Sequence, residues 1–129
     1  MLRYLAPAVL ALGMLSYTSP ASAEVTAVSG VMTPSPAVPD LGDLMTTLET
    51  KEVTVASGEH LSVVSVAQGN HTCAILDENF QAVDQDTSPS HICYLRYMAP
   101  QDGRLHHMVI VLYNPSAHNV SYVLTTHTN

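Results

Sequence analysis

Tryptophan is absent from this sequence, phenylalanine occurs once, and only four residues are lysine or arginine. Each shortage excludes something. Without tryptophan, and with only Phe80, Tyr94, Tyr97, Tyr113 and Tyr122 as aromatics beyond the first 23 residues, the chain offers no evident flat platform for stacking sugar rings. With so few cations it cannot track a phosphate backbone or an anionic lipid surface. Cysteine is also scarce: Cys73 and Cys93 are the only two, and no C-x-x-C spacing of the kind found in zinc and redox sites occurs. The G-x-S-x-G elbow and the H-E-x-x-H helix are missing too. Serine, histidine and aspartate are plentiful, but nothing places a nucleophile beside a base, so the chain reads as non-catalytic.

No apolar run is long enough to cross a bilayer, which takes about 20 residues. The run from Leu5 to Leu15 follows Arg3 and leads to Ala21-Ser22-Ala23, a small-residue cleavage pattern. Residues 1–23 are therefore expected to be a signal peptide, removed to leave a secreted or periplasmic bacterial protein that does not insert in the membrane. After cleavage three cations, Lys51, Arg96 and Arg104, face eleven carboxylates, a net charge of −8 with histidines neutral. Export makes a disulfide available. Joining Cys73 to Cys93 closes a loop of 20 residues. On the chain-entropy view that adds about 3 kcal/mol, a large share of the roughly 5–15 kcal/mol typical of a domain. Whether the bridge ties neighbouring strands or one sheet to another stays open at this level.

Residues 24–50 read as a proline-rich leader, with Pro34, Pro36 and Pro39 favouring extended, mobile chain. It ends in a short helix capped by Asp40, with Leu41, Leu44, Met45 and Leu48 on one face. From Lys51 the apolar period becomes two, and residues 51–129 form the domain. Strands are expected at 51–56, 61–67, 71–77, 81–84, 91–98, 105–113 and 120–127. Gln68-Gly69-Asn70 and the loop Asp86 to Ser90 serve as breaks between them. About seven short strands without intervening helices predict an all-β fold, an antiparallel β-sandwich.

The order of these segments carries a resemblance. Ile75-Leu76-Asp77-Glu78-Asn79 ends a strand, and an Asp84-Gln85-Asp86 turn follows it. Cys93-Tyr94-Leu95-Arg96-Tyr97 comes next, then Ala99-Pro100-Gln101-Asp102-Gly103, and finally Ser121-Tyr122-Val123-Leu124. Over roughly residues 51–127 this resembles the bacterial pre-peptidase C-terminal domain family, whose members are jelly-roll-like sandwiches on exported proteins. Asn79-Phe80 stands where that family usually has a glycine, and Arg104-Leu105 where it has an aromatic. The resemblance implies a non-catalytic binding module whose partner is an extracytoplasmic protein or polysaccharide.

Two side-chain groups invite a metal. The acidic turn supplies Asp77, Asn79, Asp84 and Asp86, oxygen donors of the kind calcium takes, though without the EF-hand spacing. Calcium is thus the one cofactor the chain hints at; otherwise none is expected. His106-His107-Met108 offers imidazole and thioether, which suit copper or zinc. Adjacent strand residues point to opposite faces, however, so a site needs one of these histidines plus a cross-strand partner such as His91 or His71.

Overall fold

A computed structural model describes residues 24–34 and 48–129. The signal peptide expected at 1–23 and, apart from Leu48, the helix expected at 40–48 lie outside the described residues. Six strands follow in order: β1 (Glu24–Met32), β2 (Glu49–Val55), β3 (His60–Leu76), β4 (Ala82–Met98), β5 (His106–Tyr113) and β6 (Val120–Thr128). All pairings are antiparallel, and the strands run β1-β6-β3-β5-β2, with β4 along the remaining edge of β3.

The long β3–β4 hairpin gives the sandwich its shape. The first half of β3, Leu61 to Ala67, pairs with β6, whereas its second half, Thr72 to Leu76, pairs with β5. β3 therefore belongs to two layers, one continued by β6 and β1, the other by β5 and β2. Across the space between them Tyr122 of β6 donates its hydroxyl proton to Glu49 of β2 at 2.9 Å. The core cluster draws on every strand, from Met32 and Val55 through Leu61, Val63, Ile75 and Leu95 to Met108, Ile110, Leu112 and Leu124. The described part of the fold is thus the all-β, disulfide-tied antiparallel sandwich that the alternation predicts, with six strands rather than about seven.

Three local expectations are corrected. First, Gln68-Gly69-Asn70 does not end a strand. Leu61, Val63, Ser65, Ala67, His71, Cys73 and Ile75 are all buried, so the inward period of two continues through these residues. The polar residues mark register shifts on either side of His71, where the hairpin folds over. Glycine is needed there because a Cβ at 69 would stand 2.9 Å from Cγ2 of Val120.

Second, Asp86 to Ser90 is not a loop but the middle of a 17-residue strand, Ala82–Met98. This strand lies at an edge, and the residues that looked like turn formers instead satisfy its own backbone. Asp84 Oδ1 accepts from Gln85 N–H, Asp86 Oδ1 from Ser88 N–H and Ser90 Oγ from Ile92 N–H. Asp84 Oδ2 accepts from Arg96 N–H at 2.8 Å, twelve residues along the same strand, which shows how tightly the hairpin doubles back. Pro89 sits in the interruption of pairing between Asp86 and Ser90, where no ladder donor is lost.

Third, residues 24–32 are no leader but strand β1, paired with β6 at all nine positions. Their poverty in large apolar residues was misleading, because this strand needs few. Gly30 lies opposite Tyr122, whose hydroxyl occupies the space a Cβ would take, and only Met32 is sunk in the core.

Candidate functional site

The disulfide joins Cys73 to Cys93 with their Cα atoms 6.3 Å apart. They are not register partners: Cys73 faces Asp86 and Cys93 faces Ser65. The bridge therefore runs across the inside of the doubled hairpin and holds one layer to the other, which answers the question the spacing left open.

Because β3 and β4 double back, their ends return to one end of the molecule, where the short connections gather. The β2–β3 and β4–β5 connections are tied together there: Gly58 N–H and Ser57 Oγ both donate to the Pro100 carbonyl, and Gly103 N–H donates to Ser57 Oγ at 2.9 Å. Asp102 organises the second connection. It accepts from Arg104 N–H at 3.0 Å, pairs with Arg104 Nε at 3.3 Å and stands 3.0 Å from Nε2 of buried His106. The backbone bond from Arg104, helped by His106 and the guanidinium, holds its carboxyl below the usual range against the desolvation that opposes it. Tyr97 shows that the third turn belongs to this end: its phenol is pushed up by burial first, then by the charges of Asp102, Asp77 and Glu78.

That third turn, Asp77 to Gln81, joins β3 to β4. Asp77 Oδ1 accepts the N–H groups of Asn79 (2.8 Å) and Gln81 (3.0 Å). The Asp77 carbonyl accepts from Phe80 N–H, and Gln81 accepts from Asp77 N–H. Phe80 takes φ +59°, the left-handed region, and half of it is exposed. Beside it Glu52, Thr54, Glu78, His107 and Val109 line a hollow of about 500 Å³. The arrangement is a half-exposed aromatic on a hydrogen-bonded turn, with the carboxylates of Asp77, Glu78 and Glu52 lining the hollow beside it.

The metal donors foreseen from the sequence are not drawn together. Asp77 closes the turn, while Asp84 and Asp86 lie along β4 with their oxygens on strand N–H groups. Asn79 contributes its backbone N–H to Asp77. His106 is turned inward onto Asp102, and His107 faces outward, 3.5 Å from Thr54 Oγ1. His91 is exposed at the other end of the molecule, close enough to His71 to influence its charge. Among the described residues no group of three or more His, Cys, Asp or Glu side chains is placed to hold a metal ion.

Sequence reasoning missed two features. One is the buried pair His71–Ser65, with Nε2 2.9 Å from Oγ and Nδ1 without a partner of good geometry. Burial lowers the imidazole's pKa, although the nearby carbonyls of Gly69 and Ser90 pull the other way. The other is Phe80 itself. In sequence it is one aromatic among several, and only the backbone shows its positive φ. Of the two tyrosines on β4, Tyr94 points outward and half of it is exposed, while Tyr97 is partly buried against the core.

No family model and no curated protein matches the chain. Solved structures do match. One is that of Aeromonas hydrophila PliG, a periplasmic lysozyme inhibitor of g-type lysozyme. It is 10% identical, with 88% of this chain and 92% of that chain covered and a TM-score of 0.50. At that identity the likeness is one of fold.

Proposed function

We propose that this chain is an exported, non-catalytic binding protein that takes a protein partner outside the cytoplasm and inhibits it, with g-type lysozyme the first partner to try. The observation that carries this reading is the fold shared with PliG over nearly the whole of both chains. Three further features support it. A disulfide across the layers suits an oxidising compartment. The signal-like segment 1–23 would deliver the chain there. The residues that stand out at the turn end offer shape and charge, with acidic side chains around an exposed aromatic, and an inhibitor needs no more than complementarity to its target. The resemblance to pre-peptidase C-terminal domains points to the same kind of role, a module that binds and does not catalyse. A formal charge of −7 over the whole sequence favours a basic partner, so binding should weaken as salt rises.

The test is direct. Purified protein is mixed with a g-type lysozyme, and the clearing of a peptidoglycan suspension is followed. A loss of lysis that reaches completion near equimolar inhibitor, and that recedes at high salt, is the expected result. Full lysis in the presence of a large excess would overturn the reading.

A further inference from the structure

We infer that Phe80 is the anchor of the interaction, an aromatic side chain that enters an apolar pocket with a basic rim on the protein partner. This rests on the reading of the chain as a protein-binding inhibitor and names the contact that reading lacks. Among the described residues three positions have positive φ: Gly58 at 77°, Gly103 at 76° and Phe80 at 59°. In that region a Cβ crowds its own carbonyl, so glycine and asparagine are tolerated and a bulky side chain is disfavoured. Two of the turns conform. The third carries the chain's only phenylalanine.

Nothing in the turn requires an aromatic. Its closure is made by the Asp77 carboxylate and by backbone groups, all of which glycine or asparagine at 80 would leave in place. Nor does the interior need it, since Phe80 is absent from the core cluster and half of it is exposed. Strain that the fold does not explain is the usual mark of a contact made elsewhere. The setting identifies the partner's chemistry. Asp77, Glu78 and Glu52 line the hollow on one side of the ring together with Val53, His107, Met108 and Val109, and no lysine or arginine lines it. An aromatic flanked by carboxylates complements a greasy pocket edged by lysine and arginine. The tip is also held ready, because Cys73, four residues before Asp77, is bonded across the layers. Little ordering remains to be done on binding.

The experiment compares the wild type with Phe80→Gly, Phe80→Asn and, on the far face, Val123→Thr, by thermal melting and by inhibition of a g-type lysozyme. Both Phe80 variants should melt within about 5 °C of the wild type. They should inhibit at least about 30-fold more weakly, the size expected of a central anchor. Val123→Thr should change inhibition less than about threefold, as expected away from the contact. Phe80 variants that inhibit like the wild type overturn the anchor and leave the inhibitor reading standing. Variants that melt more than about 10 °C lower also overturn it, by making Phe80 a residue of the fold. If the wild type itself does not inhibit, the inhibitor reading falls and the anchor, which rests on it, falls with it.

Discussion

The two ends of this sandwich treat their unusual residues in opposite ways. Where the β3–β4 hairpin doubles back, most irregularities are answered by the interior, the Nδ1 atom of His71 excepted. Gly69 makes room for Val120, His71 meets Ser65, and Asn114 donates to the Met32 and His118 carbonyls while its own oxygen accepts from Ser116. At the turn end Phe80 holds a positive φ with half of its side chain exposed, and Glu52 and Glu78 beside it are exposed too. Side chains at the doubled end are therefore constrained by packing, where a change is felt through voids, clashes and unpaired polar atoms. Those at the turn end are constrained chiefly by backbone conformation, so their side chains can vary at less cost to the core.

Mutations should separate the ends. The largest effect should come from the disulfide. Cys73→Ser with Cys93→Ser releases a 20-residue loop at the doubled end and should cost about 3 kcal/mol. That would lower the melting midpoint by roughly 10–20 °C. A pair of serines that melts like the wild type would show that the layers hold without the bridge. Next is Gly69→Ala, whose methyl would press on Val120 from 2.9 Å and should cost about 1–3 kcal/mol. A urea midpoint unchanged by it would mean that the doubled end can relax, and the contrast between the ends would weaken.

Smaller still is an effect of acid, because a single proton on one ring carries it. The folded His71 has a lowered pKa, so the fold binds this proton less readily than the unfolded chain does. Its contribution is fully present above the unfolded imidazole's value of about 6.5 and is lost as pH falls from there toward the folded value. Stability measured by urea should decline between pH 7 and pH 5, and His71→Gln should flatten that decline. An unaltered slope in the variant would assign the decline to other groups.

Much of the scaffold could be read in advance because it depends on local alternation. Val63, Ile75, Leu95, Ile110 and Leu124 all fall on inward positions of strands placed from their neighbours alone. The breaks were harder, for one reason each time. Gly69, Pro89 and Asp86 have the same preferences in a turn as in a bent or edge strand, and only the partner across the sheet decides which they serve. Strand β1 was hidden because the partner of Gly30 is a tyrosine some ninety residues later in the chain.

The metal donors illustrate the same limit. Asp77, Asp84 and Asp86 are close in sequence, yet Asp77 closes the turn while Asp84 and Asp86 lie along an edge strand, and all three accept from backbone N–H groups. The surface around Phe80 is the reverse case. Glu52 and His107 come from strands far away in the chain and meet the turn only because β2 and β5 pair beside it. By itself the sequence determined the all-β character, one face of several strands and the sole disulfide partnership, since period two and a count of two cysteines need no third dimension. Tertiary structure alone decided that one hairpin would fold over into both layers, because register is an agreement between distant strands. That folding set the cysteines across the core and brought Glu52 to the same hollow as Phe80 and the acidic turn.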